Sequence, residues 1–348
     1  MFALTVLGIS LMQPCISVTD SDARAYIEGA YSIQAGVGYQ DFTGHALNHW
    51  PLGYSLLLSL FPQPLSTALV INYLSVGIAV AFIYLLTQKA GWDPVSSSGI
   101  ALAFGFGFFR GVGINAKPDI LTYALFLIGA QCLGGASERL RTMGACIWSM
   151  LIPLKLIAVV FAPALLLVDW SLLRGRSHSF RLIHYGIISG LWLAALAAVV
   201  GFNYYTMKVI VPATHEANDL IGYVHEIVRF GSSILRAFLA NWYGSIGKIG
   251  VLVPFSLTLM VALVCLLPLR PHAGGREYAY IGLAVFALSW VLEVVRGFYG
   301  DTRLMGYGIL LLLLAFRPGR GAEVLARLCL RFHTSCPRKL FDNKFTWN

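Results

Sequence analysis

Apolar runs of about 20 residues recur in succession along this chain. A run of that length crosses a hydrocarbon layer of roughly 30 Å as one helix. A water-soluble protein of 348 residues can bury a large core without such runs, and it does not need 57% hydrophobic and 12% charged residues to do so. The repetition therefore points to an all-α polytopic membrane protein. The net charge of +9 does not argue for nucleic acid, because the basic residues collect in short connections and near residue 348, where they orient a membrane protein.

Taken in order, the opening MFALTVLGISLMQPCISVT has no positive n-region and no small-x-small cleavage site. It reads as an uncleaved first span. The prolines Pro62 and Pro64 deny a continuous helix between Gly53–Phe61 and Ser66–Leu86, so a short interfacial helix leading into a span is expected. Further apolar stretches are Ile100–Phe109, Leu121–Gly135, Gly144–Trp170, Leu182–Tyr204, Val251–Leu269, Tyr278–Val295 and Leu304–Phe316. Gln88–Ser98 and Glu138–Arg141 read as polar connections.

Gly144–Trp170 is too long for one simple span and is interrupted by Pro153 and Lys155. Two readings compete: a single kinked helix, or a broken pair that rises from one face and returns to it. The positions of Arg139 and Arg141 before it, and of Arg174, Arg176 and Arg181 after it, favour the pair, which puts both charged turns on the cytoplasmic side.

This gives about eight to ten membrane segments, with the chain's two ends inside the cell. Residues 1–316 read as one transmembrane domain that includes external loops 19–51 and 208–248. The second of these loops has an amphipathic helical rhythm. Residues 317–348 read as a basic cytoplasmic tail. The six cysteines lie mostly in or beside apolar runs and read as small buried hydrophobes.

Polar chemistry concentrates on the external side. Asp20 and Asp22 follow the first span and precede a short amphipathic segment, Ala23–Ile33. Acids there cap a helix or favour its positive end. At a membrane–water boundary a carboxylate also takes a proton from a hydroxyl or holds a divalent cation. His45 and His49 are four apart, which brings side chains together only on a helix, and no HExxH pattern accompanies them. Asn115, Lys117 and Asp119 form a second cluster, either an interfacial turn with a snorkelling lysine or a polar group facing an external cavity. Lys155 is a costly cation between apolar halves, so it is a functional candidate by default. Arg296 and Arg303, with Glu293 and Asp301, bracket the last external loop. They suit either phosphate binding or interfacial salt bridges.

The constellation resembles the integral-membrane GT-C glycosyltransferases, above all the group of protein O-mannosyltransferases and the lipid A aminoarabinose transferase. The matching residues are Asp22, Tyr26, Ala30, Gly36-Val37-Gly38-Tyr39 and Pro51-Leu52-Gly53-Tyr54, then Asp119, Lys155, and Arg303 with Tyr307. Family members often carry Asp-Glu or Asp-Ser at the first acid, where this chain has Asp22-Ala23 preceded by Asp20.

The resemblance implies a GT-C-like bundle in the plasma (inner) membrane with a periplasmic active site. It implies transfer of a sugar from a polyprenyl-phosphate donor, or a related lipid, to a glycan, lipid or protein acceptor. Asp22, Asp20 and Asp119 become the catalytic carboxylates, and Lys155, Arg303, Lys117 and Arg296 the groups facing the donor phosphate. A divalent cation, Mg or Mn, is an associated expectation, with Asp22, Asp119 and His49 as its ligands. The alternatives are a lipid or glycolipid transporter or flippase, which calls for inverted repeats and a polar path through the bilayer, and a non-catalytic membrane scaffold subunit, which tolerates loss of Asp22 and Asp119. A membrane protein partner is compatible with either the enzyme or the scaffold.

Overall fold

The computed structural model describes residues 21–47, 50–105, 116–134, 137–172, 177–207, 275–295 and 302–315. The first span, the amphipathic loop 208–248, the run 251–269 and the basic tail lie outside the described residues.

The described elements are helices: α1 (Ser21–Gln34), α2 (Leu52–Ser59), α3 (Pro64–Lys89), α4 (Pro94–Phe104), α5 (Asp119–Leu133), α6 (Glu138–Ser149), α7 (Phe161–Leu172), α8 (His178–Met207), α9 (Gly275–Val295) and α10 (Thr302–Ala315), with a 3-10 turn at Leu156–Val160. Among the described residues there is no strand, only an isolated bridge between Gln40 and Ala46. The described residues are consistent with the all-α expectation. Two of the helices, over Pro64–Lys89 and His178–Phe202, are long and apolar enough to cross a membrane.

Local chemistry sets several of the boundaries. Pro64 starts α3, where its missing N–H costs nothing. Asp93 caps α4 by accepting from the N–H groups of Val95 and Ser96, with Pro94 next in line. The polar connection expected up to Ser98 is therefore already helical from Pro94. Ser137 caps α6 through the Leu140 N–H, so Glu138–Arg141 is the first turn of a helix and not a separate charged turn.

The long apolar stretch 144–170 resolves in favour of the broken pair. The helix α6 ends at Ser149, Pro153 lies in the following turn, and Lys155 is extended (φ −151°, ψ 123°) before the 3-10 turn and α7. Arg141 near the start of α6 reaches Asp169 near the end of α7. One continuous helix would hold two residues 28 apart in sequence about 42 Å from each other. The chain rises, turns at the elbow, and comes back.

The core between the two ends is apolar and aromatic. Phe126 and Trp148 stack with centroids 4.6 Å apart, and Tyr123 stacks on Tyr307 at 4.0 Å. The Trp148 indole N–H donates to the Phe126 carbonyl at 2.9 Å, so its one polar atom is satisfied. Glycines let helices approach at their backbones: a Cβ on Gly144 would stand 2.5 Å from the Gly129 oxygen, and one on Gly308 2.7 Å from that of Gly282. Small residues at helix contacts are the packing device of helices in lipid, where burial of apolar surface drives little association.

Charged side chains segregate to the two ends of this core. At one end the Arg141 guanidinium pairs with both Asp169 and Glu277, and the His184 ring stands between Asp169 (2.9 Å) and the Thr142 hydroxyl (3.0 Å). The Lys89 ammonium donates to the Gly134 carbonyl at the same end. The opposite end holds α1, α2, the loop between them, and the start of α5.

Candidate active site

The second end is built around Asp22. It sits in the first turn of α1, where a carboxylate favours the positive end of the helix. Its Oδ1 accepts from the Trp50 indole N–H at 3.1 Å, and its Oδ2 pairs with the Lys117 ammonium at 3.0 Å. The rest of α1 anchors it: Ala23, Tyr26, Ile27 and Ala30 pack with Tyr54, Leu58, Ala68 and Ala116. Tyr26 meets Tyr54 edge-on at 5.5 Å, and the Ser55 hydroxyl donates to the Tyr26 carbonyl at 2.9 Å. Trp50 is in turn steadied by the Tyr39 hydroxyl, which lies 3.4 Å from its carbonyl oxygen.

A second acid–base pair lies beside the first. Asp119 is the first residue of α5, two positions after Lys117, and is ion-paired with Lys155 at the elbow. Both groups are nearly enclosed, Asp119 to 5% and Lys155 to 15% side-chain exposure, whereas Asp22 keeps 40%. What brings the elbow here is a backbone contact: the Gly53 N–H donates to the Pro153 carbonyl at 2.9 Å. The Trp-Pro-Leu-Gly-Tyr turn and the break in the long segment, 100 residues apart in sequence, are one structural joint.

The two pairs differ in what it takes to open them. Removing one partner of a buried ion pair costs about 3–5 kcal/mol, because the other charge is left in a low-dielectric site. A pair open to water is worth only about 0–1 kcal/mol. Asp119–Lys155 is of the first kind, and Asp22–Lys117 lies nearer the second on its carboxylate side. Lys117 itself is 4% exposed, so it is a buried counter-ion and not a snorkelling surface lysine.

Several expectations change here. Asp119 does not open to the outside: it is buried against Lys155 because the elbow folds over it. His45 is not on a helix; it lies in a turn closed by Asp41, which accepts from the Thr43 hydroxyl and from the His45 N–H. Gly44 at φ 86° bends the chain into this loop. The Thr43 hydroxyl, then the His45 N–H, hold the Asp41 carboxyl below its ordinary pKa. Asp20, His49 and Arg296 lie outside the described residues, as does the side chain of Arg303. Tyr307, their looser companion, is a buried core residue against Tyr123. Among the described residues no three His, Cys, Asp or Glu side chains gather as metal ligands.

Two polar residues of this end were not singled out by the sequence reading as site residues. Trp50 stood out only as the first letter of its turn, and its indole proves to orient Asp22. Glu28, buried on α1, accepts from the Phe42 N–H at 3.3 Å and pairs with Arg24, tying the loop onto the helix. The i, i+4 spacing of Arg24 and Glu28 is visible in the sequence, but the burial of the glutamate is not. Cys132 and Cys146 are free thiols, partly rather than fully buried.

No family model, curated protein or solved structure matches this chain.

Proposed function

We propose that the chain is a polytopic membrane glycosyltransferase acting at the end of the bundle that carries Asp22. The observation that carries this reading is one half-exposed carboxylate, oriented by an indole N–H and a buried ammonium, beside a second buried Lys–Asp pair. A bundle with basic groups at the opposite end, including Arg141, Lys89 and Arg181, fits a cytoplasmic placement of that end by the positive-inside rule. Asp22 then faces outward.

In the reaction, the acceptor hydroxyl oxygen forms a bond to the anomeric carbon of a lipid-phosphate sugar. The bond from that carbon to the phosphate oxygen breaks, its electron pair leaves with the phosphate, and the hydroxyl proton passes to Asp22. Phosphate is already a good leaving group, so a positioned base and nearby cationic charge suffice. Lys117 supplies the charge closest to Asp22, and Lys155 holds Asp119. A divalent cation, if used, would sit against Asp22 and share the task of stabilising the departing phosphate.

The test is donor turnover in membranes. Wild type and Asp22→Asn are incubated with a panel of polyprenyl-phosphate sugars, with and without EDTA, and release of the lipid phosphate is followed. Release by wild type and its loss in an equally abundant, folded Asp22→Asn protein is expected. Equal release by both would sink the role given to Asp22, and loss of wild-type release in EDTA would establish the cation.

A further inference from the structure

The loop between α1 and α2 closes on itself at its tip. The Asp41 N–H donates to the His45 carbonyl at 2.9 Å, and the Gly44 N–H returns to the Asp41 carbonyl at 3.0 Å. At the base of the tip the Leu47 N–H reaches the Tyr39 carbonyl at 3.1 Å. The Phe42 N–H is held by the buried Glu28 on α1. On this fixed backbone the Phe42 side chain stands 67% exposed, with the exposed Tyr31 ring tilted against it at 6.4 Å. Glu28 lies six residues beyond Asp22, about 9 Å along α1, so the tip is anchored close to the candidate active site.

The hydrogen bonds at the tip decide where its protons are. The Thr43 hydroxyl has one proton and lies between Asp41 Oδ1 at 2.6 Å and His45 Nδ1 at 2.7 Å. The Asp41 carboxyl, held below its ordinary pKa, is ionised at neutral pH and can only accept. The hydroxyl therefore donates to Asp41, and the remaining contact closes only if His45 Nδ1 carries a hydrogen and donates to Thr43. The 3.7 Å approach of the same nitrogen to Asp41 Oδ2, another acceptor, agrees with this. In the neutral imidazole the lone pair is then on Nε2. The His45 side chain is 84% exposed, so that lone pair is presented to solvent. The Arg24 guanidinium, tied to Glu28 through its Nε–H and largely exposed, adds outward N–H donors.

We propose that this tip is a glycan subsite, in which Phe42 takes the C–H face of a neutral pyranose and His45 Nε2 accepts from one of its hydroxyls. A pyranose joins an apolar C–H face to a rim of hydroxyls that each donate and accept. An exposed ring beside an oriented acceptor and N–H donors matches both halves. A lipid chain would use the ring and leave the imidazole without a task, and an anion would meet the Asp41 carboxylate and a lone pair. Thr43 is a positioning residue that fixes the tautomer of His45. The closed tip loses little freedom on binding. That the glycan is the acceptor rests on the glycosyltransferase reading, and it deepens that reading by placing the body of the acceptor along α1.

The test uses the full-length protein in nanodiscs, labelled with 15N-histidine. The His45 resonances, assigned by their loss in His45→Ala, should show the Nδ1–H tautomer in wild type and mainly Nε2–H in Thr43→Val. Binding of mannotriose and of maltotriose is then titrated by saturation-transfer NMR. Phe42→Ala should weaken binding at least fivefold, and Phe42→Tyr should restore it. His45→Ala and Thr43→Val should each weaken it about two- to fivefold, the worth of one hydrogen bond. All three side chains are exposed, so these substitutions leave the core untouched.

A wild-type protein that binds neither trisaccharide at millimolar concentration overturns the proposal, and so does binding unchanged in Phe42→Ala. An Nε2–H tautomer in wild type overturns the role given to His45 and Thr43. Quenching of Phe42→Trp emission by lipids brominated in their acyl chains would put the tip in the bilayer and overturn the subsite as well. Trisaccharide binding in the expected order by a protein that turns over no sugar donor would refute the transferase reading and leave the subsite standing. Asp22-dependent turnover without Phe42-dependent binding would do the reverse.

Discussion

Gly53→Ala tests the joint on which the candidate site depends. The new Cβ would stand 2.6 Å from the Pro153 oxygen, 2.8 Å from its carbonyl carbon and 2.9 Å from its Cβ. Ordinary contacts of this kind begin near 3.4 Å, so the two backbones must separate by about 0.8 Å, and neither is the free end of a side chain. Overpacking of this sort costs about 1–3 kcal/mol. Separation also lengthens the 2.9 Å hydrogen bond from the Gly53 N–H, for about 0.5–1.5 kcal/mol more. Against this, alanine gains up to about 1 kcal/mol over glycine in a helix.

The net expectation is a destabilisation of about 1–3 kcal/mol, together with a displaced elbow and hence a misplaced Lys155. Gly186→Ala on α8 is the matched control, because nothing lies within 4 Å of its Cβ and only the helical gain remains. Thermal unfolding of both variants in detergent, followed by helical circular dichroism, should show Gly53→Ala below wild type and Gly186→Ala level with it or above. A Gly53→Ala protein as stable as wild type would refute the account of a backbone-to-backbone joint.

The far end of the bundle offers a second test. Asp169→Asn removes one of the two carboxylates that the buried Arg141 guanidinium pairs with, and should lower stability by about 3–5 kcal/mol, read as midpoint in a chemical denaturation. A change under 1 kcal/mol would mean that water reaches the cluster.

The loop between α1 and α2 gives a third prediction, with a defined direction in pH. Because the folded Asp41 carboxyl lies below its ordinary value, its contribution to the turn is fully present above the unfolded pKa of about 3.9 and is lost as pH falls through the folded value. Protease nicking of the loop should therefore stay flat from neutral pH to about pH 5 and rise only under stronger acid. A rise already above pH 5 would refute the role given to the Asp41 carboxylate.

Much of this end was readable beforehand, for reasons that can be traced to particular residues. Lys155 and Pro153 are conspicuous because a cation and a helix breaker inside an apolar stretch have no cheap accommodation, and the structure accommodates them with a sharp turn and an acidic partner. Asp22 and Asp119 were recognisable as acids opening helices. Their partners were not. Lys117 lies 95 residues from Asp22, and no local pattern states that the two meet. The spacing of His45 and His49 carries no pairing by itself, since a spacing of four matters only if the backbone between is helical, and His45 lies in a loop.

What the sequence determines by itself is the all-α class, the breaks at Pro62–Pro64 and Pro153, and the candidate charges. These follow from period, length and the local chemistry of proline and caps, all of which act within a few residues. Only the tertiary structure decides that α6 and α7 double back, that Trp50 and Lys117 share Asp22, and that Lys155 belongs to Asp119. Pairing of distant charges is set by which backbones come close enough to touch, and here that is decided where Gly53 meets Pro153.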